Sequence, residues 1–140
     1  MTVQEREDFL AEVRVAVVTV AQDNGRAPLA VPLWYGYQPG GEITLITARS
    51  SRKAELIRTA GRVSLCVQAT EQPYRYVTVE GPIVSVQESV TAEERRAFAE
   101  RYLGPDGAAE YVRASADRTS TMMLFRVRPE HWLAVDQGKR

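Results

Sequence analysis

Thr47-Ala48-Arg49-Ser50-Ser51-Arg52-Lys53 gathers three cations and three hydroxyls within seven residues. The stretch joins an apolar, β-branched segment to a segment of helical pattern, and Ser50 or Ser51 suits the cap of that helix. Cations at a helix start oppose the macrodipole, and a bound anion relieves the conflict. The free amides of a helix N-terminus add donors, so the junction reads as an anion site, phosphate above all. Its alternative is a solvated basic helix start.

Reactive side chains are sparse elsewhere. Cys66 is the single cysteine, so the chain has no internal disulfide and no multi-cysteine metal site. It stands mid-strand with no activating group beside it in sequence and reads as a small buried thiol. His131 is the single histidine, beside Trp132, and reads as a surface or satisfied residue. One histidine argues against zinc triads and most Ser-His-Asp or Cys-His catalysis. The sequence contains no G-x-G-x-x-G after a strand, no P-loop, and no paired carboxylates at an informative spacing. Enzymatic chemistry on this chain would belong to a bound organic cofactor.

The elements that must position the junction follow from periodicity and punctuation. Thr2 with Glu5 forms a capping box for a helix to Val13, with Phe9, Leu10 and Val13 as its apolar stripe. Residues 14–21 read as a first strand, and Asp23-Asn24-Gly25 as a hairpin turn. Residues 28–37 form a second strand, with Leu29, Val31, Leu33, Tyr35 and Tyr37 on one face. Pro32 cannot donate to a ladder, which places this strand at an edge or at a bulge. A third strand covers 42–47, the helix after Ser51 runs to about Thr59, and Gly61 ends it. A fourth strand spans 62–68 and a long fifth 74–86, with Val77 and Val79 opposite Tyr74, Tyr76, Thr78 and Glu80. Thr91 with Glu94 starts a helix that stops at Gly104, and a short helix covers 107–115. A sixth strand covers 119–128, extended by 132–135 after Pro129. Six short strands in meander order, with peripheral helices, predict a mainly β single domain over residues 1–140, closed into a small antiparallel barrel.

Composition bounds the partners. The 140 residues carry 18 basic and 18 acidic side chains, so the net charge is zero. That argues against nucleic-acid binding through general phosphate attraction and against a polybasic membrane binder. No apolar run reaches a membrane-helix length, and the N-terminus is too polar for a secretory signal, so the expected location is cytoplasmic. All basic residues but Lys53 and Lys139 are arginine.

Thr47 followed by Ser51-Arg52-Lys53, then the strand 62–67, then Val79-Glu80-Gly81, resembles the pyridoxamine 5'-phosphate oxidase family and its flavin- and deazaflavin-dependent split-barrel relatives. Val17 to Val20, Gly25-Arg26-Ala27-Pro28, Val31-Pro32-Leu33-Trp34-Tyr35 and Arg128-Pro129 also fit. The resemblance implies a six-stranded Greek-key split barrel, a homodimer, and FMN or the deazaflavin F420 in a groove between subunits. It implies that Ser51, Arg52 and Lys53 hold the cofactor phosphate. Thr47 and Ala48 would run beside the ring, and the backbone of Val31, Pro32 and Leu33 would meet its edge. Tyr74 and Tyr76 would contribute from the second subunit, and Arg49 or Arg75 would meet the acidic tail of F420. The chain lacks the C-terminal arginine-histidine pair with which the true oxidase grips its substrate. The resemblance therefore implies a small organic substrate and argues against vitamin B6 oxidation. A flavin- or haem-binding barrel without turnover is the other class it admits.

Overall fold

The computed structural model describes residues 1–116 and 121–139. Seven strands and three helices are present among them: α1 (Val3–Ala11), β1 (Ala16–Val20), β2 (Leu29–Leu33), β3 (Ile43–Ala48), α2 (Arg52–Ala60), β4 (Arg62–Gln68), β5 (Arg75–Gln87), α3 (Ala92–Ala114), β6 (Met122–Val127) and β7 (His131–Asp136). The start of the expected sixth strand, at Thr119 and Ser120, lies outside the described residues. No helix among them is long and apolar enough to cross a membrane.

All pairings are antiparallel, and the strand order is β2-β1-β4-β5-β6-β3, with β7 on β5. The order departs from a meander: β3 pairs with β6 along its whole length rather than with β2. Beyond the end of β2, Gly36 forms one bridge to Thr44, with both backbone hydrogen bonds at 2.9 Å. This bridge brings the two ends of the strand path together, so the sheet curls into a split β-barrel.

β5 links the two halves. Its first half pairs with β4 and β7, and its second half with β6 after a register shift between Ile83 and Ser85. At the change-over the chain leaving β6 crosses Gly81, where an added Cβ would lie 1.8 Å from the Arg128 carbonyl oxygen. Only glycine admits that approach. The amides of Arg128 and Glu130 donate to the carbonyls of Pro82 and Glu80 across it. Residues 132–135 were expected to extend the sixth strand. They belong instead to β7, a seventh strand on the other sheet, because the chain changes sheets at Pro129.

The core is the barrel interior. Val18, Leu65, Val77, Val79, Leu45, Phe125 and Val127 fill it, and α1 adds Phe9 and Leu10. Val13 is not part of that stripe: α1 ends at Ala11, and Val13 is exposed. α3 is interrupted at Gly104 (φ 73°), followed by Pro105, so the two expected helices run on from each other across a break.

The outer face of the five-stranded half is different. Pro32, Val17, Cys66, Thr78 and Leu133 are successive cross-strand partners from β2 to β7. Val17 is 43% and Leu133 57% exposed. Cys66 is exposed too, which corrects the expectation of a buried thiol. On β4 the inward positions are Val63, Leu65 and Val67, so the period of two turns Cys66 outward.

Candidate functional site

The junction is built by Ser51. Its Oγ accepts from the Ala54 amide at 3.2 Å and donates to the Ala48 carbonyl at 2.7 Å, tying the end of β3 to the first turn of α2. The first i→i−4 bond of the helix runs from the Glu55 amide to the Ser51 carbonyl. The amides of Arg52 and Lys53 stand ahead of it and face outward along the helix axis. Thr47, one of two buried polar or charged side chains among the described residues, is 4% exposed, and its Oγ1 has no hydrogen-bond partner there. It points to the barrel interior with Ile43 and Leu45, whereas Ala48 is half-buried on the opposite face of β3.

The three cations differ in how firmly they are held. Arg49 donates from its backbone to the Thr121 carbonyl at 2.7 Å and from Nη1 to the Glu88 carbonyl at 2.6 Å, which anchors it to the end of β5. Arg52 reaches Glu55 at 3.1 Å and Gln22 at 3.4 Å, both side chains of that ion pair being half or more exposed. An exposed pair of this kind is worth about 0–1 kcal/mol, against about 1.5–3 kcal/mol for a charge-assisted bond to an anion. Arg52 is therefore exchangeable. Lys53 has no hydrogen-bond or ion-pair partner among the described residues.

Arg58 was not among the expected site residues, yet it belongs here. Its Nη2 lies 3.5 Å from the Arg49 carbonyl, 3.5 Å from Glu88 and 3.0 Å from the Met123 sulfur. It stands seven residues after Ser51, two turns along the same helix face, and that spacing is the signal that identifies it.

The remaining expected residues fall in two other places. β2 is the edge of the sheet, so alternate backbone groups of Val31, Pro32 and Leu33 point away from β1. Val31 and Leu33 turn toward the core, and Pro32 lies on the outer face. Pro32 and Leu33 also line a cavity of about 360 Å³ under α3, whose walls include Trp34, Ile46, Phe98, Ala99, Tyr111 and Met122. Tyr74 and Tyr76 sit at the start of β5 with ring centroids 5.7 Å apart, and the Tyr74 hydroxyl bonds Gln68 at 3.1 Å. Arg49 binds just beyond the other end of β5. Thirteen residues of strand separate the two groups, about 40 Å of path before bending.

A buried phenol with a raised pKa belongs to Tyr35, which lies on the α1 side of the barrel. Burial pushes the Tyr35 phenol up to about 12, against the pull of Arg101, and its hydroxyl donates to the Leu10 carbonyl at 2.7 Å. Tyr35 is thereby a structural tie between α1 and the barrel. His131 is exposed and beside Glu130 on β7.

The split barrel is the fold that the sequence resemblance implied. The family model described as pyridoxamine 5'-phosphate oxidase matches residues 2–134, and the chain belongs to that family. Three solved structures share the fold. An F420 reductase superposes with a TM-score of 0.75 at 19% identity, covering 91% of this chain and 94% of that one. A conserved hypothetical protein of Mycobacterium tuberculosis gives 0.77 at 24% identity, covering 97% and 85%. An FAD- and haem-binding protein of Mycobacterium smegmatis gives 0.67 at 17% identity, covering 96% and 71%. No curated protein matches the sequence.

Proposed function

We propose that this protein is an oxidoreductase that binds FMN or F420 at a dimer interface and oxidises or reduces a small organic substrate. The observation that carries this reading is the Lys53 ammonium at the start of α2, without an anionic partner among the described residues. The junction fits a phosphate: two uncapped amides, an unpartnered ammonium and the exchangeable Arg52 guanidinium all belong to the first turn of α2. The bound ring supplies the hydride or electron-pair transfer. Lys53 and Arg52 hold the phosphate, while Ser51 stays engaged in capping and fixes the direction of α2. Arg49 and Arg58 keep the local potential positive. The outward backbone groups of β2 orient the ring edge, and the apolar walls beside Pro32 and Leu33 exclude water. Among the described residues the cavity walls contain no carboxylate or imidazole.

A second copy completes the site in this reading. The exposed outer row from Pro32 to Leu133 is an apolar surface of the sort that subunits bury. Packing two such faces supplies Tyr74 and Tyr76 of one copy to the junction of the other. Retention of a flavin-type cofactor without turnover uses the same junction. The two readings separate by whether added acceptors reoxidise the bound reduced cofactor faster than the free one.

The test is the absorbance spectrum of the purified protein, followed by calorimetric titration with FMN and with F420. Lys53→Ala and Arg52→Ala should each lose about ten-fold or more in affinity. Unchanged affinity in both variants would remove the phosphate assignment.

A further inference from the structure

The cavity under α3 has an aromatic composition that goes beyond the exclusion of water assigned to its walls above. Trp34, Phe98 and Tyr111 supply aromatic walls, and Val15, Ile46, Ala99 and Met122 complete them. Trp34 is fixed: it stacks on Tyr102 with ring centroids 4.6 Å apart and planes 8° from parallel. Tyr102 is fixed in turn, because its hydroxyl accepts from the Tyr35 amide at 2.9 Å and lies 2.8 Å from the Arg14 carbonyl. The break at Gly104 and Pro105 then turns the second half of α3 back so that Tyr111 tilts against Trp34, with centroids 5.8 Å apart. Arg95, the one charged group in the lining among the described residues, is 3% exposed and donates to Ser115 at 3.0 and 2.6 Å. These bonds brace the return of α3.

We infer that this cavity is the substrate site, and that it takes a planar, uncharged aromatic molecule of two or three fused rings. The inference rests on the oxidoreductase reading, since it names that reaction's substrate class. Size supports it: about 360 Å³ falls at the small-molecule end of ligand sites and is too small for a folded peptide element. Chemistry supports it as well. The walls reward flat apolar surface through stacking, and a charged group entering would lose its hydration against walls that are aromatic and aliphatic except at Arg95, which is already bonded to Ser115. Position also agrees, because Pro32 and Leu33 border both the cavity and the strand assigned to the ring edge. Trp34 is the fixed wall, and Tyr111 sets the width.

The probe is 1-aminoanthracene, neutral and three-ringed, whose emission rises in apolar surroundings. Titrated into the full chain without cofactor, it should bind saturably. Tyr111→Ala should weaken it about ten-fold, and the smaller filling change Ala99→Val by a similar factor, both checked for folding by circular dichroism. Leu133→Ser, on the outer face, should leave the affinity unchanged and so excludes binding there. Lys53→Ala should also leave it unchanged, which makes this test independent of the phosphate assignment. Anthracene-9-carboxylate should bind at least ten-fold more weakly. Three results would each overturn the inference: equal affinity in the two folded cavity variants, tighter binding of the carboxylate, or direct competition by FMN, which would make the cavity the ring's own site. Saturable probe binding with no affinity for either cofactor would sink the oxidoreductase reading and leave the cavity's ligand class standing.

Discussion

The two ends of β5 carry residues of similar promise and opposite character. At the Gln87 end, Arg49, Arg52, Lys53 and Arg58 collect around a helix start, and at least two of the cations are held by little or nothing. At the Arg75 end, Tyr74 and Tyr76 lie on a sheet face, tilted against each other and bonded to a neighbouring strand. Between them stands Gly81, where two backbone segments touch. The difference shows that one long strand can carry two groups of unlike chemistry at its opposite ends. In the proposed function a second copy closes the site.

The strongest way to break the comparison is at its pivot. Gly81→Ala forces a Cβ into the Arg128 carbonyl, and because backbone meets backbone nothing flexible can yield. The expected loss is about 3 kcal/mol or more, read as a lowered urea midpoint or an insoluble chain. A variant of unchanged midpoint would mean that the crossing is looser than its geometry.

Val17→Glu sharpens the comparison from outside. It puts a charge in the middle of the outer row without touching the junction. If two copies pack there, light scattering should move to the 15.6 kDa monomer, with dimerisation weakened by at least about 2 kcal/mol. Cofactor affinity should fall in parallel, although Lys53 is intact. A wild-type chain already monomeric at micromolar concentration would remove both the dimer and the shared groove.

The Gln87 end has its own brace. Gln87 donates to the Glu94 carboxylate at 2.8 and 3.0 Å, and Glu94 closes the capping box of α3 with Thr91. These bonds, Gln87 first, hold the Glu94 carboxyl below its usual value near 4.5. A lowered folded-state pKa means a contribution that is complete above the unfolded value and lost as pH falls through the folded one. Thr91→Ala should cost about 1 kcal/mol at neutral pH. Glu94→Gln should flatten the acid limb of the stability curve below about pH 4.5, measured by urea melts across pH. An acid limb identical to wild type would deny the brace.

The smallest effects are expected at the two residues that most invite a catalytic reading. Cys66 is exposed on the outer row, and His131 is exposed on β7 next to Glu130. Neither lines the cavity or touches the junction. Cys66→Ser and His131→Gln should retain steady-state turnover within a few-fold on folded protein. A thousand-fold fall in kcat, on the scale of losing a triad member, would assign the reaction to a side chain.

What was legible in the sequence was local. Ser51 as a cap, Gly61 in the left-handed conformation ending α2, the alternation of Val63, Leu65 and Val67, and the break at Gly104 all follow from backbone preference and period, which act over a few residues. Pro32 correctly marked an edge strand, because a residue without an amide hydrogen is excluded from the middle of a ladder. The cation cluster was legible for the same reason, being contiguous. Tertiary structure alone decided the rest. Pairing of β3 with β6, the transfer of residues 131–136 to β5, and the exposure of Cys66 depend on which surfaces meet across long separations. Alternation along a strand says which residues share a face but not which face is covered. Tyr74 was placed at the opposite end of β5 from the junction by the path of that strand around Gly81, and no spacing along the chain encodes that path.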